Sequence, residues 1–267
     1  MADAFAVYRR LAGAKLRGDL QYRASFAMFF AGQFLITALD FVAIAVLFGQ
    51  VTTLGGWSLY EVAFLYGASG VSFGLADMFV SQVEYVPQRI RLGTFDSMLI
   101  RPVSSLLQIV AEDFAPRRMG KVLQAAIIFG VALSKLHIAW TLGRVAMTVC
   151  MVLSGTLIFS AIWIAGGAAC FWLLEGQEVM NSVTYGGNFM TQYPMHIYGA
   201  WLRRLLAFVT GTAFVSYFPA LYILDKPDPL RLPSATPFLS PVVALVAVGL
   251  AGLFWRVAVR HYRSTGS

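Results

Sequence analysis

Charge, histidine and cysteine are all scarce in this chain. Only 12% of its 267 residues are Asp, Glu, Lys or Arg, about half the share in an average soluble domain, which excludes an ordinary water-soluble protein. The two cysteines, Cys150 and Cys170, fall in one apolar run. Twenty positions along a helix separate them by about 30 Å, which excludes a disulfide or a shared metal centre. The three histidines, His137, His196 and His261, stand outside the longest apolar runs. A phosphate-cradling loop is missing too: the one Gly-Lys pair, Gly120-Lys121, is followed by Val122 and has no glycine five residues earlier. The chain therefore has no ATPase motif of its own.

What the chain has in abundance is apolar sequence, 58% of it, with a mean hydropathy of +0.70. These residues gather in six runs, at about 26–51, 59–80, 120–138, 145–174, 205–224 and 238–258. A helix needs roughly 20 residues to cross the hydrocarbon of a bilayer, so the pattern predicts an all-α membrane protein with six transmembrane helices in one domain, 26–260. Residues 1–25 carry Phe5, Tyr8, Ala12 and Leu16 at helical spacing opposite Arg10 and Arg17, the pattern of an amphipathic helix lying along the inner leaflet. This charged segment is not a cleavable signal peptide. Residues 261–267 form a short tail.

Orientation follows from the basic residues, which accumulate on the cytoplasmic side. Arg9, Arg10, Lys15, Arg17 and Arg23 precede the first run; Arg89, Arg91, Arg101, Arg117, Arg118 and Lys121 separate the second from the third; Arg203 and Arg204 precede the fifth; Arg256, Arg260 and Arg263 follow the sixth. Sixteen of the twenty Lys and Arg thus fall on one face, which places both termini in the cytoplasm of a bacterial cell. The net charge of +7 reads as topology and contact with anionic membrane lipid, with no nucleic-acid partner. Inner loops of about forty residues after the second run and about thirty (Glu175 to Arg204) after the fourth suggest a cytoplasmic partner.

Few residues carry chemistry. Gly70-Val71-Ser72-Phe73-Gly74 fits G-x-S-x-G, yet a nucleophilic serine needs a base within reach, and close helix packing on Gly67, Gly70 and Gly74 is the simpler reading. A carboxylate in hydrocarbon must pair, protonate or face water. Asp40, in the middle of the first run, and Asp77, near the end of the second, are therefore candidates for a substrate pathway; Glu61 and Asp77 also lie near enough to run ends to be interfacial. Inward carboxylates either attract a cationic substrate or pair with basic helix ends.

The first inner loop reads VPQRIRLGTFDSMLIRPVSSLLQIV from Val86 to Val110. Gly93 bends the chain, Asp96 caps a short helix and Pro102 stops it after one or two turns. The result is a short stiff element, basic at both ends, that hangs off the second run.

On Arg91, Gly93, Thr94, Asp96, Met98, Leu99, Arg101 and Pro102, the chain resembles the permease subunits of type-2 ABC exporters, in particular a six-span subgroup that includes viologen and drug exporters. Gly56-Trp57-Ser58 with Glu61, the stretch TYGGNFMTQYP from Thr184 to Pro194, and the ending HYRSTGS are similar to the same subgroup. The resemblance implies half of a translocation pathway, in which a second permease chain, identical or related, completes the cavity. Two copies of a separate ATP-binding subunit would hold ATP and Mg, with no cofactor in this chain. It also implies that Arg91, Gly93, Thr94, Asp96, Arg101 and Pro102 form the coupling helix on that ATPase. Members export cationic compounds, drugs or lipids. A secondary transporter would show paired interrupted helices in repeated halves, which the two halves here lack.

Overall fold

The computed structural model describes residues 21–112, 116–173, 176–228, 230 and 232–262, together with residues 13, 17 and 18. The helix expected over 1–25 and the tail beyond Tyr262 lie largely outside the described residues. The architecture is all helical. Long apolar stretches without interior breakers become long helices: α1 (Arg23–Phe48), α2 (Leu59–Val80), α6 (Met119–Lys135), α7 (Leu142–Ala169) and α11 (Ser240–His261). Between α2 and α6 lie three short helices, α3 (Val86–Arg91), α4 (Thr94–Leu99) and α5 (Ser105–Glu112); after α7 come α8 (Gly176–Thr191), α9 (Ala200–Arg204) and α10 (Tyr217–Ile223).

Their ends follow local rules. Ser58 and Glu61 form a capping box at the start of α2, with the Ser58 amide donating to Glu61 Oε2 at 2.7 Å. Thr141 accepts from the Arg144 amide at 3.3 Å to cap α7. Among the described residues four helices are long and apolar enough to cross a membrane, or five if one bent pair counts as a single span. The fold is that of a multi-pass membrane protein. At seventeen residues α6 is about 25 Å long, a little short of the roughly 30 Å hydrocarbon thickness.

The axis of the bundle is α2, buried along most of its length between α6, α7 and α8, whereas α1 is mostly exposed. The stripe Gly67, Gly70, Gly74 faces α6: a Cβ on Gly67 would lie 2.6 Å from that of Phe129, and one on Gly70 would lie 2.8 Å from that of Ala125. Ser72 Oγ lies 2.8 Å from the Ala68 carbonyl oxygen and 3.1 Å from that of Val152, so the G-x-S-x-G stretch is a packing surface with its hydroxyl engaged.

The bundle has two ends. The turn at residues 52–58, before α2, marks the distal end; the short helices α3 to α5, beyond the other end of α2, mark the proximal end. Of the stretch from Glu175 to Arg204, expected as a proximal loop, residues 176–204 instead carry the chain across. Helix α8 starts beside the proximal end of α7, runs antiparallel to it, and leads to His196, whose Nε2 lies 2.6 Å from the Gly55 carbonyl at the distal end.

From there the expected fifth span is not one span. Residues 200–209 and 212–223 are bent by 77°, with a wide π-turn at Leu205–Val209 and a left-handed Gly211 (φ 68°) at the break. The second arm brings Lys226 back to Gly56 at the distal end, 2.9 Å from its carbonyl oxygen. Segment 197–225 thus enters and leaves at the same end. Arg203 and Arg204, expected at the proximal end, line a distal hollow with Leu230 and Leu232.

Hydropathy missed the crossing by α8 because that helix is polar. Two of its polar side chains find partners inside the bundle: Ser69 on α2 bonds both Asn188 Oδ1 and the Thr191 hydroxyl, which lowers the cost of carrying them into an apolar medium.

Candidate functional site

The element around Gly93, expected from the resemblance to be a coupling helix, grows out of α2. Past Val80 the chain continues as a 3-10 turn (Ser81–Tyr85) and then α3, so it leaves the bundle without a flexible joint. Gly93, at φ 67°, reverses it in the left-handed region that favours glycine. Helix α4 begins immediately after, so Asp96 is its third residue and Gly93 occupies the cap position. The helix ends at Leu99, before Pro102.

Each face of α4 has a distinct environment. Inward, Phe95 and Met98 are buried. The Phe95 ring lies 5.1 Å from Phe171 after α7 and 5.1 Å from Tyr262 after α11, and Phe171 also meets Trp255 of α11 edge-on at 5.6 Å. Four rings from three parts of the chain thus interlock, each pair adding roughly 0.5–1.5 kcal/mol beyond its buried area. The Tyr262 hydroxyl faces the Asp96 carboxylate; burial, with help from that charge, pushes the phenol pKa up to about 12. Gln108 Nε2 donates to the Met98 and Val103 carbonyls, both at 2.8 Å, and fixes the return turn. The Trp255 indole donates to Ser105 Oγ at 3.3 Å.

Outward, Arg91, Thr94, Arg101 and Pro102 are exposed, with Gly93 and Asp96 half-buried. So are Leu92 (65%) and Ile100 (85%). Apolar side chains this exposed, among arginines and off the end of the bundle, suit a partner's surface better than water.

Asp77 lies just behind this element. It is wholly buried and accepts from both Arg118 and Lys121, while Arg118 also donates to Ser81. Lys121 lies over the Phe73 ring at 5.6 Å. These bonds tie the end of α2 to the start of α6, the two stems of the loop that carries α4. Asp40 is elsewhere: it is exposed on α1 amid the exposed apolar residues Ile36 and Leu39. The structure does not bring the two carboxylates together. A cavity of about 620 Å³ lies between α7, α8 and α11, lined by residues such as Ile162, Met180, Thr184 and Phe254. Neither Asp40 nor Asp77 lines it.

Sequence reasoning found the loop but missed the aromatic knot behind it and the partners of Asp77. The i, i+3 spacing of Phe95 and Met98 was the available signal for a buried face. No group of three or more His, Cys, Asp or Glu among the described residues is placed to hold a metal.

The fold and this site together define an all-helical membrane protein with a short-helix element projecting from one end of its bundle. The particular family is shown by sequence: a model described as ABC-2 family transporter protein matches residues 34–266, and the chain belongs to that family, an ABC transporter permease. Members are normally non-catalytic membrane subunits that work with an ATPase. Comparison with curated proteins and with solved structures gave no match.

Proposed function

We propose that this chain is the permease half of an ATP-driven exporter in a bacterial inner membrane, with both termini cytoplasmic. The observation that carries the reading is the two-sided α4: Phe95 and Met98 are locked into the membrane helices while Leu92, Ile100, Arg91 and Arg101 face out. A partner ATPase that seats this outer face and moves it would move the ends of α7 and α11 as well, because the Phe95, Phe171, Trp255 and Tyr262 rings leave no slack. Asp77 with Arg118 and Lys121 keeps the stems of the loop together during that movement.

Two copies of the ATP-binding subunit would hold ATP and Mg, and a second permease chain, identical or related, would complete the pathway. The basic residues support the proximal end as cytoplasmic even with Arg203 and Arg204 placed at the other end. Six crossings remain the count under this reading, with α8 as the fifth and segment 197–225 as a re-entrant insertion.

Replacing Asp96 or Arg101 by alanine is expected to lower substrate-stimulated ATP hydrolysis by the assembled complex several-fold while the chain remains folded in the membrane; unchanged stimulation in both variants overturns the coupling role. Asp40 supports a cationic or amphipathic organic substrate, since a carboxylate exposed on a span is costly unless a counter-charge or water meets it. Asp40→Asn is expected to weaken cellular resistance to organic cations, and intact resistance assigns Asp40 a structural role.

A further inference from the structure

At the distal end one small turn holds both ends of the re-entrant segment. Leu54 and Trp57 exchange backbone hydrogen bonds of 2.9 and 3.1 Å across Gly55 and Gly56, whose φ values are 58° and 80°, a two-residue turn with both central residues left-handed. The successive carbonyls of Gly55 and Gly56 are both taken by side chains of the segment that re-enters the bundle. His196, at its start, places Nε2 2.6 Å from the Gly55 oxygen. Lys226, at its end, donates to the Gly56 oxygen at 2.9 Å.

The contacts reinforce one another. Lys226 also pairs with Glu61 at 3.0 Å, the residue that caps α2, and lies over the Trp57 ring at 5.0 Å. Trp57 is buried, with the His196 ring on one side at 6.4 Å and Tyr217 stacked on it at 6.0 Å. A Cβ on Gly55 would lie 2.5 Å from His196 Nε2 and 2.9 Å from Ile197 Cγ2, so the fit leaves no room for any other residue there. Met195, next to His196 in the chain, is buried.

We propose that this turn is the latch of the distal end: His196 and Lys226, closed on the carbonyls of Gly55 and Gly56, hold segment 197–225 against α2, and their release opens the pathway on that side. The His196 and Lys226 bonds both end on carbonyls of the exposed pair Gly55-Gly56, and the Lys226–Glu61 pair beside them is partly hydrated, so these contacts part without breaking the hydrogen bonds within a helix. It rests on the exporter reading only for its timing in the transport cycle; the latch itself belongs to this chain.

The test uses thiol labelling of the full-length chain in lipid nanodiscs, with Cys150 and Cys170 replaced by serine and Met195 by cysteine as the reporter beside the latch. Labelling of the latched chain is expected to be slow, and His196→Ala or Lys226→Gln to speed it at least tenfold, with Lys226→Arg close to the slow rate. Equal rates in all chains overturn the latch. Circular dichroism must show the same helix content in each variant, and a fast rate accompanied by lost helix counts against the proposal. Adding the ATPase with a non-hydrolysable nucleotide then separates the two readings. Faster labelling of the unsubstituted latch supports release during the cycle, whereas mutant acceleration without any nucleotide response keeps the latch and overturns its place in ATP-driven export.

Discussion

Helix α2 carries one carboxylate near each end, and the two are held in opposite ways. Asp77, toward the proximal end, is fully buried and shared between Arg118, just before α6, and Lys121 on α6. Glu61, toward the distal end, is 18% exposed, caps its own helix and pairs with Lys226 from a loop. Removing one partner from a buried ion cluster strands the others in a poorly solvating interior, while a partly hydrated pair is held only by the small surplus of Coulomb attraction over lost side-chain freedom. The proximal end is thereby built as a fixed joint and the distal end as a separable one. That asymmetry suits a protein pushed from one side and opened on the other.

The largest effect is expected where the joint is fixed. Asp77→Ala takes the shared buried carboxylate from the partly buried Arg118 and Lys121 and is expected to destabilise the chain by about 3 kcal/mol, read as a lower midpoint of thermal unfolding in detergent; a shift no larger than that of Glu61→Gln would abolish the contrast. Next comes Phe95→Ala, which empties the centre of the aromatic knot. A loss of about 3 kcal/mol is expected from the cavity, together with loss of substrate-stimulated ATP hydrolysis in the complex. Full stimulation in a folded Phe95→Ala protein would show that the rings do not transmit movement.

At the distal end the changes shrink. Glu61→Gln keeps a side chain able to cap α2 and removes only the charge opposite Lys226, so the cost is expected to stay below about 1 kcal/mol in the same unfolding assay. Smallest is Asp225→Gly. Asp225 adopts φ 55° directly after α10, and its pairing with Arg144 at 3.6 Å is largely exposed. Glycine there is expected to change stability by no more than about 1 kcal/mol, in the stabilising direction if left-handed strain outweighs the lost pair. A clear destabilisation would show that the distal end depends on its ion pairs more than the comparison with Asp77 allows.

Parts of the architecture were legible because their signal was local. The runs that became α1, α2, α7 and α11 are apolar throughout and show little one-sidedness, as expected of helices whose surroundings are apolar on every side. Gly93 and Pro102 marked the bounds of the coupling element for the same reason, since each restricts its own backbone. Asp96 was placed at the cap when it is the third residue of the helix, because an acidic side chain suits the first turn as well as the cap position. The segment from 175 to 225 misled in both directions. Helix α8 reads as a loop because Asn188 and Thr191 are polar, and 205–224 reads as a span because its bend needs only Gly211 and a wide turn.

By itself the sequence determined the class of protein. Burial of apolar length and the cost of charge in hydrocarbon act residue by residue, and they need no knowledge of neighbours. Only the tertiary structure decided how Asp77 and Glu61 are each held, that four rings stand behind α4, and that a chain segment with the hydropathy of a span turns back on itself. Those outcomes depend on which groups distant in sequence meet: Asp77 with Arg118, Phe95 with Tyr262, Gly55 with His196. A satisfied polar group costs little in a membrane and an unsatisfied one costs a great deal, and the partner that makes the difference is chosen by the fold.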